Sequence, residues 1–256
     1  MLYLNCGTGS EVLSTPRFSL VIPAYNEAGW LPALLDTVDV ARASYRGGAE
    51  AIEVIVAENA STDATAAIAR ERGCRVVSVE TRAIAAARNG GAAIAQGEIV
   101  CFIDADSRIH PQTFNAIEAT LASGRVIAGA TGVHPDRWSL GLLATWLVAL
   151  PIMYLMGLDA GVVFCRRADF EAVGGYDESL LYAEDIKILV DLKRLGRKRG
   201  QHFARAKGAQ AITSARKFDK HGDWHYFLRM PRVAFWMLID KRRVEKFTRA
   251  YWYEDR

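Results

Sequence analysis

The sequence lacks the features that mark several classes of protein. Its four cysteines show no Cys-x-x-Cys spacing, and Cys101 and Cys165 lie in apolar runs where buried thiols are expected. This cysteine usage is typical of the reducing cytoplasm. Low-complexity tracts are absent, and 51% of the residues are hydrophobic, which argues against long disordered segments. Residues 1–15 contain neither a basic nor a continuous apolar segment, so we expect a loose N-terminus and no secretory signal.

Nucleic-acid-binding motifs are also absent, although the charge is very unevenly distributed. Residues 187–256 contain 19 Lys and Arg against 7 Asp and Glu, a net charge of +12, whereas residues 1–186 carry −9. Such a basic block binds nucleic acid, an anionic membrane surface or a phosphorylated substrate, or is a solvated face. Since no nucleic-acid motif accompanies it, we predict no nucleic-acid partner and favour a membrane or phosphate ligand.

Strand-like and helical segments alternate over the first hundred residues. Strands are predicted at residues 18–23, 52–57, 75–79 and 98–103. The helix after the first strand has Leu31, Leu34, Leu35 and Val38 at helical spacing. A second helix is predicted from a cap at Ser61 or Thr62 to Arg72, and a third over residues 82–96. This alternation predicts an α/β fold with a doubly wound, mainly parallel sheet.

Polar clusters follow three of these strands. They comprise Tyr25-Asn26-Glu27, residues 58–63, and Asp104-Ala105-Asp106. A solvated turn is the common alternative for an isolated Asp-x-Asp pair, but ligands collect at the carboxyl ends of parallel strands. Paired carboxylates are hard oxygen ligands, so we predict a site for Mg²⁺ or Mn²⁺ and phosphate at Asp104 and Asp106.

An ordered set of motifs resembles the family-two glycosyltransferases with the GT-A fold. The motifs are Val21-Ile-Pro-Ala-Tyr-Asn-Glu27, Glu58-Asn-Ala-Ser-Thr-Asp63, Ala87-Arg-Asn-Gly90, Asp104-Ala-Asp106, Gly174-Gly-Tyr-Asp-Glu178 and Glu184-Asp185. The resemblance covers about residues 18–196. It implies a Rossmann-like GT-A domain that uses a UDP- or GDP-sugar. The composition of the C-terminal residues predicts a helical, basic extension after this domain.

The resemblance also implies roles in donor binding for several residues. The first two loops would hold the nucleoside, Arg88 would approach the diphosphate, and Asp104 would bind ribose or reach the metal through water. The second loop usually reads Asp-Asp-Gly-Ser-x-Asp in the family, so this chain departs from it at its first three positions. The donor-binding residues implied in this way are Pro23, Tyr25, Glu27, Glu58, Asn59, Arg88, Asp104 and Asp106.

Catalytic and metal-binding roles follow from the same resemblance. Asp106 would be the direct ligand of Mn²⁺ or Mg²⁺, with Asp104 and a late histidine, His221, as further candidates. Asp185 would be the general base of an inverting transfer, although acids in the first turn of a helix also stabilise its dipole without any catalytic role. Arg88 or Arg216 would add positive charge near the leaving phosphates.

Two segments indicate contact with a membrane. Residues 138–158 contain no charged residue and are long enough to cross a bilayer, but a crossing there would separate the donor site from Asp185. We therefore expect either a buried helix pair broken near Pro151 or a surface that dips into the membrane interface and receives a lipid-linked acceptor. Residues 224–243 mix aromatic and basic side chains, which suits anionic headgroups, a helix packed on the domain, or a dimer contact. The predicted location is the cytoplasm, peripheral on the cytoplasmic face of the membrane.

These observations predict a domain layout and a function. A GT-A domain is expected over residues 16–216, with a donor half at 16–110 and an acceptor half at 111–216, followed by a basic aromatic extension at 217–256. The expected function is metal-dependent transfer of a sugar to a glycan, lipid-linked or small-molecule acceptor. Alternatives are a retaining enzyme acting on a small phosphorylated acid, a sugar nucleotidyltransferase, and a non-catalytic nucleotide-sugar-binding module. The nucleotidyltransferase is disfavoured because residues 23–26 lack a glycine-rich turn.

Overall fold

A computed structural model of the protein describes residues 15–156, 159–180, 183–225 and 227–228. Two β-sheets lie within these residues. Their strands are β1 (Phe18–Ala24), β2 (Ile52–Glu58), β3 (Arg75–Ser78), β4 (Ile99–Phe102), β5 (Val126–Ala130), β6 (Val133–Pro135), β7 (Val163–Arg166), β8 (His202–Arg205) and β9 (Ala211–Thr213).

The larger sheet has seven strands in the order β3-β2-β1-β4-β7-β5-β8. Strands β3, β2, β1 and β4 are parallel to one another, and β5 is parallel to β8, while β7 runs antiparallel between β4 and β5. Strands β6 and β9 form the second, parallel sheet. The predicted α/β class with a mainly parallel sheet is confirmed, and one sheet joins strands from both predicted halves of the domain.

Helices connect the strands. They are α1 (Leu31–Ala43), α2 (Thr65–Glu71), α3 (Ile84–Ala93), α4 (Thr113–Leu121), α5 (Leu140–Met156), α6 (Arg167–Ala172), α7 (Glu184–Lys198) and α8 (Arg216–His221). In the described part of the chain, no helix combines the length and apolarity that crossing a membrane requires. The predicted C-terminal extension lies outside the described residues beyond residue 228.

Apolar side chains cover both faces of the seven-stranded sheet. All residues of β1 and β4 are buried, which confirms the expectation of a central strand buried on both faces. Leu20 and Cys101 belong to one apolar cluster, whereas Val21 and Cys165 belong to the other. Helix α3 packs so closely on β1 that a Cβ at Gly91 would lie 2.4 Å from the Val21 side chain. The buried thiols are therefore structural, as expected.

Helix α2 begins later than predicted. Ser61 and Thr62 do not cap it, because their polar atoms bind Asn26 in the loop after β1. Asp63 instead accepts a hydrogen bond from the backbone N–H of Thr65 at 2.9 Å. The prediction of a Ser or Thr cap was wrong because a long-range contact between loops takes both side chains.

Helix α5 continues through Pro151, so the alternative of a helix pair broken near this proline is wrong. Its described surface is mixed. Leu142 is buried, whereas Leu140, Leu143, Leu147 and Val148 are exposed, with Leu147 at 65%.

Helix α7 starts at Glu184 as predicted, but its buried face is shifted. The apolar residues at helical spacing, Ile186, Leu189, Val190 and Leu192, predict its buried face, but Ile186 and Val190 are exposed. The helix rests on β5 at Gly196, where a Cβ would lie 2.7 Å from the Ile127 side chain. This close packing turns Ile188 towards the core together with Leu189 and Leu192, which the spacing predicts to be buried.

Candidate active site

The loops that follow β1 and β2 are hydrogen-bonded to each other. Asn26 connects them twice, because its backbone N–H donates to Ser61 Oγ (3.1 Å) and its Oδ1 accepts from the backbone N–H of Thr62 (2.8 Å). Asp63 Oδ2 accepts from the backbone N–H of Ala28 at 3.0 Å. The two loops therefore form one preorganised unit at the carboxyl ends of their strands.

Both loops contain a residue in the left-handed backbone region. Asn26 has φ of 51° and Ala60 has φ of 60°. Asparagine tolerates this conformation, but alanine pays about 1–2 kcal/mol for the contact between its Cβ and the backbone. The motif that this loop resembles usually has glycine at the position of Ala60. The departure from the motif therefore carries local strain beside the site.

Glu58 and Asn59 occupy the end of β2 and are both buried. Glu58 Oε1 accepts a hydrogen bond from the backbone N–H of Ser61. The Asn59 side-chain nitrogen donates to the carbonyl oxygens of Val79 (2.9 Å) and Thr81 (2.6 Å). A carboxylate could not donate these bonds, which gives a structural reason for asparagine where the family motif has aspartate.

The remaining predicted residues of the first loop have different surroundings. Pro23 is buried within β1, opposite Ala57 of β2. Tyr25 is partly exposed, and the guanidinium of Arg82 lies over its ring, 4.3 Å from the centroid. Tyr25 therefore presents a cation-covered aromatic surface at the strand ends.

Arg88 is a buried cation at the centre of a cluster of carboxylates. Its Nη2 is 3.0 Å from Asp104 Oδ1, and its Nη1 is 3.3 Å from Glu184 Oε1 and 2.5 Å from Asp185 Oδ1. Arg88 itself is 5% exposed, and its guanidinium lies over the ring of Tyr176, 5.0 Å from the centroid. The cluster thus joins α3, the end of β4 and the first turn of α7.

Asn89 holds the ring of Tyr176 beneath this cluster. Its Nδ2 donates to the carbonyl oxygen of Tyr176 (2.8 Å), and its Oδ1 accepts from the backbone N–H of Tyr176 (2.9 Å). A Cβ on Gly175 would lie 2.7 Å from Asn89 Oδ1, and the φ of Gly175 is +71°. These contacts bring together the motifs at residues 87–90 and 174–178.

Arg216 forms a second charged cluster, with Asp106 and Glu27. Its two Nη atoms contact both carboxylate oxygens of Glu27 at 2.8 and 2.7 Å, and its Nε is 2.8 Å from Asp106 Oδ2. Glu27 is 2% exposed, and the guanidinium also lies 5.4 Å from the centroid of the Trp30 ring. The start of α8 is therefore tied to the loop after β1 and to the end of β4.

The site carries excess negative charge, which suits a divalent cation. Five carboxylates and two guanidiniums make up the two clusters, so their formal charge is −3. Within the described ranges, no three His, Cys, Asp or Glu side chains are arranged to hold a metal ion by themselves. Mg²⁺ commonly binds one or two carboxylates together with substrate phosphates, so Asp104 and Asp106 fit an ion shared with a bound diphosphate.

His221 is not gathered with the acidic pair. It lies at the end of α8, and its ring centroid is 5.4 Å from that of His225. In the part of the chain that the structure describes, it forms no group of three metal-ligating side chains with Asp104 and Asp106. The structure therefore gives no support to the predicted role of His221 as a metal ligand.

The environment of Asp185 suits a proton acceptor. Burial raises the pKa of Asp185 to about 6, an effect that Arg88 opposes and that Glu184 and Asp104 reinforce. Its side chain is nevertheless 52% exposed, so solvent reaches the carboxylate. The preceding Ala183 has φ of 59°, another left-handed residue at the edge of the site. A carboxylate with a pKa near the working pH is well suited to general base catalysis.

The structure brings most of the predicted site residues to one edge of the sheet. The contacts of Glu27 and Asp106 with Arg216, and the positions of Tyr176 and Asn89 around Arg88, were not predicted. Tyr176 and Asn89 lie within motifs that the sequence displays, so their presence at the site could have been found. No sequence signal pairs Glu27 with Arg216, which lies 189 residues away.

Comparisons with known proteins identify the family and the fold. The family model described as glycosyl transferase family 2 matches residues 19–155, more than half of the chain. Validoxylamine A glucosyltransferase from Streptomyces hygroscopicus subsp. jinggangensis (strain 5008) is 31% identical over an alignment of 140 positions that covers 49% of this chain and 32% of that relative. The chain thus spans about a third of that relative's length.

Two solved structures are similar in fold. S. aureus TarS 1-349 in complex with UDP-GlcNAc matches with a TM-score of 0.57 and 21% identity, over 77% of this chain and 58% of that one. The mannosyltransferase PcManGT from Pyrobaculum calidifontis, in complex with GDP-Man and Mn²⁺, matches with a TM-score of 0.60 and 18% identity, over 93% and 74%. By its family match and its fold, this chain belongs to glycosyl transferase family 2 and has the GT-A fold.

Proposed function

We propose that this chain is a metal-dependent glycosyltransferase that moves a sugar from a nucleotide-diphosphosugar to an acceptor hydroxyl with inversion. One observation carries the proposal: Asp104 at the end of β4 and Asp185 at the start of α7 lie on opposite sides of one buried arginine. A carboxylate for the donor side and one for the acceptor side are thereby held in the same site.

The donor is a UDP- or GDP-sugar. TarS and PcManGT, which share the fold, have UDP-GlcNAc and GDP-Man bound, respectively. In this chain the joined loops after β1 and β2 would receive the nucleoside, with Tyr25, Glu58 and Asn59 at the strand ends. The Asn59 amide nitrogen donates to the backbone at residues 79 and 81, so this residue would help the donor to bind by holding the loop in place.

Asp106 and Asp104 would hold the divalent cation, Mn²⁺ or Mg²⁺. When bound, such an ion neutralises negative charge on the leaving diphosphate. Arg216 already neutralises part of the charge on Asp106 and lies beside it. Electrostatic stabilisation of this kind is typically worth about 3–4 kcal/mol for each key contact.

Asp185 would act as the general base. Its carboxylate takes the proton of the acceptor hydroxyl while the hydroxyl oxygen forms a bond to the anomeric carbon. The bond from that carbon to the diphosphate oxygen breaks, and the diphosphate leaves with the electron pair. Since attack and departure occur on opposite faces of the sugar, the anomeric configuration inverts.

Donor binding and turnover test this proposal. Thermal unfolding with Mn²⁺ and a panel of UDP-, GDP- and dTDP-sugars should single out one donor, since a ligand at about 100 times its Kd adds roughly 2.7 kcal/mol. Turnover of that donor should stop with EDTA and return with Mn²⁺. Binding of Mn²⁺ in the presence of UDP, followed by electron paramagnetic resonance, should weaken in Asp106→Asn.

The anomeric configuration of the product separates the main alternatives. Inversion, seen by NMR, supports Asp185 as a base. Retention would favour the enzyme class that acts on a small phosphorylated acid. Donor binding without turnover over a broad acceptor panel would favour a binding module.

The acceptor is lipid-linked and is met at an anionic membrane surface. The exposed apolar residues Leu143 and Leu147 of α5 support this part of the proposal. They lie on the element that contacts Asp223, since a Cβ at Gly141 would be 2.4 Å from the Asp223 carbonyl oxygen. Trp224, which follows Asp223 directly, and Leu228, four residues further on, are also exposed. An apolar surface next to the basic C-terminal quarter suits an interface with anionic lipids.

Vesicle flotation tests the membrane contact with point variants that should leave the fold intact. The double variant Leu143→Asp/Leu147→Asp should float less with phosphatidylglycerol-containing vesicles than the unmodified chain. Val40→Asp, which alters a similarly exposed apolar residue on α1, should float normally. Equal flotation of all three proteins would remove the membrane contact from the proposal.

A further inference from the structure

The buried position of Arg88 points to a role different from the one its motif implies. Resting on the proposed function, we propose that Arg88 is a positioning residue for the base Asp185 and does not contact the donor diphosphate. It would hold the first turn of α7 against the end of β4, so that Asp185 and Asp104 keep a fixed separation across the sugar.

The geometry of the guanidinium supports this role. An arginine that binds a diphosphate must direct N–H groups into the ligand site, whereas the Arg88 side chain is 6% exposed. One Nη atom is directed to Asp104, and the other to Glu184 and Asp185. The Nε atom is buried without a hydrogen-bond partner in the described part of the chain. The hydrogen bonds that the guanidinium does make in this part of the chain all go to protein carboxylates.

Charge balance gives a reason for this arrangement. Asp104, Glu184 and Asp185 come from two separate elements, and without a cation between them they would repel each other. The planar guanidinium bonds carboxylates on two sides at once, which a lysine ammonium, as a single point charge, cannot reproduce. Arg88 therefore fixes both the distance and the orientation of the two elements.

The surroundings of Arg88 are built to hold it in place. The Tyr176 ring lies beneath the guanidinium, and Asn89 fixes the backbone of Tyr176 with two hydrogen bonds. Asn89 and Arg88 are neighbours on α3, so the helix supplies both the cation and the group that supports its platform. A residue that moved to meet a ligand would not need such support.

Arg88→Lys tests the inference, with Arg199→Lys as a matched control. Arg199 also pairs with a buried carboxylate, that of Asp169, but it lies just beyond the other end of α7. Turnover of the donor identified by the thermal panel, with transfer to water when no acceptor is known, should be measured beside the Kd for UDP at saturating Mn²⁺. In Arg88→Lys we expect kcat to fall about 10- to 100-fold, as for a misplaced catalytic group, with the Kd for UDP changed less than about threefold. Arg199→Lys should match the unmodified chain in both.

Amide hydrogen exchange supplies a readout that reports position directly. Exchange at residues 183–187 should accelerate in Arg88→Lys and not in Arg199→Lys. If Arg88→Lys fails to fold, Asn89→Ala tests the positioning role of Arg88 instead, because it removes the hydrogen bonds that hold Tyr176 without changing the charge. It should lower kcat and leave the Kd for UDP unchanged.

The inference and the proposed function fail in different ways. An increase in the Kd for UDP of about tenfold or more in Arg88→Lys, with kcat unchanged, would show a diphosphate contact and overturn the inference alone. Unchanged kcat and unchanged exchange in a folded variant would overturn it as well. If the unmodified chain turns over no donor, the proposed function has failed instead.

Discussion

Glu27 offers the sharpest test of how the two halves of the site are joined. The sequence predicts a donor contact for this residue, but its carboxylate is buried and both of its oxygens are bonded by Arg216. In Glu27→Gln, the side-chain oxygen can still accept one hydrogen bond, while the amide NH₂ faces a guanidinium N–H and repels it. The substitution therefore removes the ion pair and one of its two bonds with almost no change in volume.

The structure sets the expected magnitude. Losing one partner of a buried ion pair costs about 3–5 kcal/mol. Arg216 keeps Asp106 as a second carboxylate and remains 19% exposed, so the loss in unfolding free energy should be smaller, about 2–3 kcal/mol. For a domain of this size, that loss corresponds to a decrease in Tm of about 4–12 °C.

Urea unfolding followed by tryptophan fluorescence measures the effect, with Glu98→Gln as the control. Glu98 pairs with Arg17 at the surface, and its side chain is 59% exposed, so its loss should cost about 0.2–1 kcal/mol. The reasoning is refuted if Glu27→Gln costs no more than Glu98→Gln. A Kd for UDP raised about tenfold with unchanged stability would instead make Glu27 a donor contact, as the sequence predicts.

Three further predictions concern pH and backbone geometry. Because burial raises the pKa of Asp185 to about 6, kcat/KM should fall as pH drops through 6 and be flat from pH 7 to 8. The same shift makes the contribution of Asp185 to folding stability decrease as pH rises from about 4 to 6. Values of kcat/KM and of the free energy of unfolding that stay constant down to pH 5 would contradict these two expectations. Ala60→Gly should raise the free energy of unfolding by about 1 kcal/mol by relieving the left-handed backbone at φ of 60°, whereas a destabilised variant would rule out strain there. Gly97→Ala should lower it by about 1–3 kcal/mol, because its Cβ would lie 2.6 Å from the backbone of Phe18 and Ser19. Gly29→Ala, with open space around it, should change it by less than about 0.5 kcal/mol; equal effects of the two alanines would contradict the packing argument.

Local pattern predicted the sheet well because the buried strands have a simple signature. β1, β2 and β4 lie where apolar runs placed them, and parallel pairing brought their polar ends together. Helix boundaries were less predictable where a side chain had a distant partner, as Ser61 and Thr62 have in Asn26. The buried face of α7 was also not predictable, because Ile186 and Ile188 are equally apolar and only packing on β5 chooses between them.

The residues of the site could be predicted, but their partners could not. Asp104, Asp106 and Asp185 follow from motifs and strand ends. Arg88 reaches Asp185 across 97 positions and Arg216 reaches Glu27 across 189, and nothing local in the sequence encodes these pairs. The fold places α3, α7 and α8 around one edge of the sheet. This placement determines which arginine neutralises which carboxylate.

The role of Asp185 as the base is tested by the donor turnover of Asp185→Asn, measured with its affinity for UDP on the same protein. We expect kcat to fall by about 10²- to 10⁴-fold, because the acceptor proton has no base, with the Kd for UDP within about threefold of the unmodified chain. A folded Asp185→Asn protein that transfers sugar at nearly the unmodified rate would contradict it.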